Sequence, residues 1–280
     1  MKINTVFFGA SPYSTIILKK LATLTDFPLV SVVSKTDKAI GRHLSISENP
    51  VSLLAKKLKL PLIKTDQFDQ NFIKKFRSLE PDLALVVAYG PPFFNQTTID
   101  IPRFKIVNIH PSLLPFYRGA TPGPWQIING KTESAVSFFQ IDALPDHGPI
   151  IAQIPFAISD NETSPSFYQK AFNLASDHLE NILKNYIQNP NKLTPQNHQK
   201  KTYFPKFTKL NAQINWTWSK PKIKRFIRAL SPWPTAWTYV KNQQGKLLKM
   251  KMFPDNIVQI EGKTKTLWPE IEKYYTIVTK

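Results

Sequence analysis

The chain contains no cysteine. That excludes a disulfide framework, a thiolate metal site and a cysteine nucleophile. Glycine is scarce, at 9 of 280 residues against 24 prolines, so the connecting segments are stiffened more than they are loosened. Five histidines make a poor metal cage, and no metal is expected. Neither G-x-x-x-x-G-K-[ST] nor G-x-G-x-x-G occurs, which removes the usual phosphate cradle and dinucleotide fingerprint. No apolar run reaches the ~18 residues of a membrane span. Residues 1–9 read as a strand entering the fold directly, without the pattern of a signal peptide. The expectation is a cytoplasmic protein with no membrane partner.

Acidic residues are also few: 19 Asp and Glu stand against 37 Lys and Arg, a net charge of +18. The excess is uneven. Residues 201–280 carry 16 basic and 4 acidic side chains, so two thirds of the net charge sits on the last 80 residues. That split suggests a near-neutral globular domain followed by a small basic one whose natural partner is a polyanion, nucleic acid first.

What is present is strongly patterned. Apolar runs at 2–8, 29–33, 62–64, 83–88 and 105–110 read as strands, and 14–24, 50–60 and 71–79 as helices. Continuous apolar strands alternating with helices predict an α/β fold with a doubly wound, mostly parallel sheet, Rossmann-like in outline. Further strands are expected at 135–140 and 150–158, and a helix at 164–186. The polar stretch 185–206 reads as an interdomain linker. Beyond it, 222–230 is an amphipathic helix, and 236–241, 246–253 and 256–260 are short strands of a small β-rich, OB-like barrel. The division expected is a catalytic domain over 1–187, a linker over 188–206 and a compact basic domain over 207–280.

In an open α/β sheet a ligand is expected at the carboxyl ends of the strands. There, in Ile106-Val107-Asn108-Ile109-His110, the two-residue period of a strand puts Asn108 and His110 on one face. An amide donor beside an imidazole could polarise a carbonyl and stabilise a tetrahedral oxyanion. Asp146, at a turn between two strands, would complete the set by positioning water for proton transfer. Read singly, Asn108 and His110 could be satisfied strand-end residues and Asp146 a turn former. Asp142 reads as a structural acid, and His147 as an exposed turn residue.

The longer strings NIHPSLLPFYRGATPGPWQIING and DALPDHGPIIAQ resemble the folate-dependent formyltransferases. So do VFFGASPYS, SKTDKAIGRHLSISENPVSLLAKKLKLPL and PDLALVVAYG upstream. Downstream, YFPKFTKLNAQINWTWSKPKIKRFIRALSPWPTAW is similar to the second domain of the branch of that family that formylates methionyl-tRNA. The resemblance implies Asn108, His110 and Asp146 as a catalytic trio. It implies Ser112, Leu113, Leu114 and Pro115 as part of a folate site, with Val87, Tyr89, Gly90 and the segment around Asp142 holding the pterin. The implied reaction is attack by the α-amine of methionine, esterified to initiator tRNA, on the formyl group of 10-formyltetrahydrofolate. Asn108 and protonated His110 would hold the oxyanion. No metal is implied.

The same resemblance makes the loop 35–49 the element that reaches the tRNA end, with Arg42 as its principal cation. Lys206, Lys209, Lys224, Arg225 and Arg228 are expected to contact tRNA phosphates, which fix orientation without reading sequence. Of Trp216, Trp218, Trp233 and Trp237, most are expected in the core. Two departures from the family pattern are the shortened middle of the second domain and Pro145 before Asp146. A monomer is expected. Two rivals remain: a formyltransferase acting on a small amine, such as an amino sugar nucleotide or glycinamide ribonucleotide, and a non-catalytic RNA-binding protein on the same scaffold. The first has no use for the basic appendage, and the second has none for an intact Asn108, His110 and Asp146.

Overall fold

The run Thr5–Gly9 is buried at every position, and Leu83–Val87 likewise. A strand with no polar face has to be covered on both sides, and the chain supplies helices to do so. The computed structural model describes residues 1–40 and 45–279. In chain order its elements are β1 (Thr5–Gly9), α1 (Ser14–Leu21), β2 (Leu29–Ser34), β3 (Lys38–Ile40), β4 (Ser45–Ser47), α2 (Pro50–Lys57), β5 (Leu62–Lys64), α3 (Gln70–Ser78), β6 (Leu83–Val87), α4 (Gln96–Ile99) and β7 (Ile106–His110). They continue with α5 (Pro122–Ile128), β8 (Glu133–Gln140), β9 (Ile150–Ala157), α6 (Ser164–Gln188), α7 (Lys220–Ala229), β10 (Trp237–Asn242), β11 (Leu247–Met252), β12 (Ile257–Ile260), β13 (Lys265–Leu267), α8 (Trp268–Ile271) and β14 (Tyr275–Val278).

Seven strands form one sheet in the order β5-β2-β1-β6-β7-β8-β9. The pairs from β5 through β7 are parallel, and β8 joins β7 antiparallel. The order runs outward from β1 in one direction to β2 and β5 and in the other to β6 and β7, so the switch point lies between β1 and β6. This is the doubly wound, mostly parallel sheet that the strand and helix alternation predicts.

The contacts divide the chain into two compact units. The first comprises 1–118, 135–156 and 169–203; the second comprises 119–134, 157–168 and 204–280. One side of the first unit's core is aromatic. Phe8, fully buried in β1, meets Phe68, Phe72, Phe76, Tyr89 and Phe94 edge-on at 5.2–6.2 Å. Val33, Ala84, Val86 and Ile106 complete that layer.

Helix starts in this unit are fixed by side chains. Asn49 caps α2 by accepting from Val51 and Ser52 N–H, and Asp69 caps α3 by accepting from Phe72 N–H, each satisfying donors that a helix leaves open. Asn49 also accepts from the Ser34 hydroxyl at 2.7 Å and donates to the Lys35 carbonyl at 2.9 Å. One residue therefore ties together both ends of the 35–49 segment. Within it the structure has the hairpin β3–β4, with Lys38 opposite Ser47, where the sequence reading had only a loop.

In the second unit, a five-stranded antiparallel sheet has the order β13-β12-β11-β10-β14. Val240, Met250, Val258 and Ile260 form its core. α7 follows Ser219 at its N-cap and has Pro221 in its first turn, where a missing N–H costs nothing. Its Ile223, Phe226 and Ala229 are buried. Trp237 is buried, whereas Trp233 is 52% exposed.

Candidate active site

β7 carries the two residues singled out by period. Asn108 pairs with Val86 of β6 on one side and Phe139 of β8 on the other; His110 pairs with Ser137. Asn108 is half-buried, and its side-chain amide has no hydrogen-bond partner among the described residues. His110 is 5% exposed. A buried imidazole needs its polar atoms met, and His110 Nε2 lies 3.0 Å from the Tyr117 carbonyl. A carbonyl only accepts, so Nε2 carries the proton and donates it there. Nδ1 is left as the nitrogen that faces Asp146, 3.7 Å from its Oδ1. That is beyond a direct hydrogen bond and within ion-pair reach.

The loop bearing Asp146 is built by short-range constraints. Asp146 has φ of 50°, a left-handed conformation that aspartate tolerates better than most residues. With Pro145 before it, the chain has the residue order of a type II turn, proline then a left-handed residue. Two residues on, a Cβ at Gly148 would stand 1.9 Å from the Gln140 carbonyl oxygen. Only glycine lets the backbone pass that close to the end of β8. Asp142 accepts from Leu144 N–H at 3.0 Å with one oxygen, and lies 2.6 Å from His147 Nδ1 with the other. It is thus a structural acid within the loop. His147 is half-buried rather than exposed, because its ring also stacks on His198 at 3.8 Å and 3°.

The segment after β7 divides by burial. Ser112 is fully buried and donates to the Phe116 carbonyl at 2.7 Å. Ser137 Oγ donates to Ser112 O at 2.6 Å and accepts from Leu114 N–H, and Gln153 Nε2 donates to Leu114 O at 2.9 Å. Ser112 and Leu114 therefore hold the loop's shape, and Leu113, 44% exposed, and half-buried Pro115 are the ones left to meet a ligand. At 87–90, Val87 is buried with its carbonyl accepting from Ser14 Oγ at 2.6 Å. Tyr89 is buried, donates to the Thr65 carbonyl at 2.7 Å and lies beneath Lys35 at 4.0 Å. Burial and nearby Asp66 push its hydroxyl well above the ordinary tyrosine range. Gly90 is exposed, with φ of 74° and open space where a Cβ would stand.

Of the expected phosphate contacts, Lys206, Lys209 and Lys224 are exposed. Arg225 and Arg228 are half-buried and engaged in the second unit: Arg225 donates to the Ile128 carbonyl at 3.2 Å and Arg228 to the Glu162 carbonyl at 3.3 Å. Burial and neighbouring Arg225 hold the Arg228 guanidinium below its usual range. Arg42 lies outside the described residues. Among the described residues, no group of three or more His, Asp and Glu is placed to hold a metal ion, and no helix is long and apolar enough to cross a membrane. Arg118 and Gln196, which the sequence reading left unassigned, are both buried in the same unit as Asp146.

Comparison with known proteins points to one family. The formyl transferase profile matches residues 1–183, and the formyl transferase C-terminal domain profile matches 206–267. Two curated relatives, both named methionyl-tRNA formyltransferase, come from Chloroflexus aggregans and Thermodesulfovibrio yellowstonii. They are 31% and 32% identical, covering 93% and 91% of this chain and 84% and 82% of theirs. A solved methionyl-tRNA formyltransferase from Clostridium thermocellum superposes with a TM-score of 0.59 at 14% identity over 99% of both chains. A sugar 3N-formyltransferase, solved in the presence of dTDP and 5-N-formyl-THF, superposes with a TM-score of 0.62 at 18% identity, covering 94% of this chain and 100% of that one.

Proposed function

Starting from the fact that the chain belongs to the formyl transferase family, we propose that it moves the formyl group of 10-formyltetrahydrofolate to the α-amine of methionyl-initiator tRNA, for translation initiation. The observation that carries the chemistry is the grouping of a free Asn108 amide, a buried His110 and the Asp146 carboxylate 3.7 Å from it. The amine nitrogen adds to the formyl carbon, and the negative charge gathers on the formyl oxygen. Asn108 Nδ2–H and the Nδ1–H of protonated His110 stabilise that oxygen, Nε2–H being held by the Tyr117 carbonyl. Asp146 holds His110 and receives the proton that the attacking nitrogen must lose. Collapse breaks the bond to the folate N10, which takes up one proton, so the overall transfer is proton-neutral.

Leu113, Pro115, Gly90 and the half-buried Asn108 present the surfaces that face a folate in this reading, while Ser112, Leu114, Val87, Tyr89 and Asp142 shape them. The acceptor assignment is supported by the named relatives, similar over nine tenths of the chain, and by the basic segment from residue 201 onward. The catalytic work falls to residues 1–187 and the tRNA docking to the basic segment 207–280, aided by Arg42. The structural likeness to a sugar formyltransferase keeps a small amine as the rival acceptor, but a small amine has no use for a polycationic partner surface.

The test is transfer from 10-formyltetrahydrofolate to charged initiator methionyl-tRNA, with Asn108→Ala and His110→Ala alongside. Loss of a donor to a developing oxyanion costs about 10²–10³-fold in turnover, and both variants are expected to show it. Transfer retained by His110→Ala would refute the assigned site. An inactive wild type that still formylates a small amine would move the assignment to the rival.

A further inference from the structure

Residues 194–203 read in the sequence as connecting chain, yet in the structure they are bound to the acid loop at several points. Thr194 bridges to Ile150, with backbone hydrogen bonds of 2.8 and 2.9 Å. Gln196, 6% exposed, donates its side-chain amide to two carbonyls of the loop, Asp146 O at 3.0 Å and Gly148 O at 2.7 Å. Its carbonyl accepts from Arg118 Nη2 at 2.6 Å. The same guanidinium nitrogen lies 2.9 Å from His198 Nδ1, and His198 stacks on His147, which is tied to Asp142.

Arg118 is 4% exposed, and its Nε is buried without a partner. A cation at this depth is strongly disfavoured unless charge and hydrogen bonds compensate. Asp146 and Asp142 supply the compensating field. No carboxylate forms a direct ion pair with Arg118 among the described residues; the guanidinium instead spends its hydrogen bonds on Gln196 and His198.

We propose that Arg118, Gln196 and His198 form a clamp that fixes the Asp146 carboxylate relative to His110, with Gln196 as the principal positioning residue. The clamp compensates for two features of the loop that would otherwise let it move. Asp146 is in a left-handed conformation, which a residue with a Cβ adopts only under constraint. The acid also reaches His110 across 3.7 Å, so their relative placement depends on where the backbone of the loop is held. Two donors on one amide, aimed at the carbonyls of Asp146 and Gly148, hold the backbone on both sides of His147. Arg118 orients that amide by fixing which end is the acceptor.

As a positioning device for formyl transfer, the clamp rests on the function proposed above, so its test combines a readout of activity with one that needs none. Gln196→Met keeps the side-chain length and removes both donors; Gln196→Glu keeps the acceptor for Arg118 and removes only the donors. In the full chain, both are expected to speed backbone amide hydrogen exchange across residues 142–148 at least tenfold while exchange in β1 and β6 stays unchanged. A displacement near 1 Å in a catalytic group costs up to about 10²-fold in rate, so kcat is expected to fall about 10- to 100-fold in both variants, with KM for 10-formyltetrahydrofolate within about threefold of wild type. Unchanged exchange at 142–148, or unchanged kcat in either variant, overturns the clamp. A wild type that transfers no formyl group, with exchange responding as described, sinks the functional reading and supports the clamp.

Discussion

Asp146 combines charge, backbone strain and position in one residue, and these can be separated. Asparagine accepts the left-handed conformation as readily as aspartate and has nearly the same shape, so Asp146→Asn should leave the fold intact while removing the negative charge beside His110 Nδ1. The expected result is a loss of at least about 100-fold in kcat, of the size seen when a proton-transfer group is removed, with a protein that still folds but melts somewhat lower, because buried Arg118 loses part of its compensating field. A variant with kcat near wild type would mean that the carboxylate serves the turn and not the chemistry. The period-two pattern of β7 made Asn108 and His110 legible from the sequence, because that pattern is set by the backbone alone. The grip on Asp146 was not legible: Arg118 and Gln196 meet across 78 residues, and a contact at that separation leaves no periodic trace.

At the level of elements, α7 shows how a charge can belong to the fold as much as to a surface. Its amphipathic pattern was readable, but the sequence could not say which of its cations are free. Lys224 is exposed, while Arg225 donates to Ile128 O and would press on any Cβ placed at Gly130, at 3.1 Å. Arg225→Ala should therefore destabilise the protein by about 1–2 kcal/mol through lost packing and a lost hydrogen bond to a charged donor, read as a lower midpoint in urea. Lys224→Ala should change stability by less than about 0.5 kcal/mol. Equal midpoints for the two variants would contradict the packing role of Arg225. The hairpin β3–β4 and the strands β13 and β14 escaped the sequence reading for a related reason. Each is three or four residues long, which leaves little alternation to read, and β13 carries lysine where the equally short β5 has leucine.

For the molecule as a whole, the uneven charge is the feature that composition revealed and coordinates leave unchanged. If the basic segment docks a polyanion, rising salt must weaken that partner and spare the small one. Over 50 to 200 mM salt, KM for the charged tRNA is expected to rise at least tenfold, as counterion release requires for several phosphate contacts, while KM for the folate changes by less than about twofold. A flat response for the tRNA would remove the basic segment from the interface. The doubly wound sheet was foreseeable because its five parallel strands, β1, β2, β5, β6 and β7, alternate with helices along the chain. The composition of the two compact units was not, since residues 119–134 and 157–168 join the second unit with no shift in composition to mark them.

The clamp also imposes an order in time. A ribosome delivers Asn108 and His110 early, then the acid loop, and only some fifty residues later the glutamine that holds that loop. A nascent chain that has emerged only as far as β9 carries all three residues of the proposed site but lacks the glutamine whose amide grips the acid loop. Competence therefore arrives with the stretch 194–203, and a premature stop between Asp146 and Gln196 would release a polypeptide with the proposed trio written in its sequence but without the two donors that grip the acid loop.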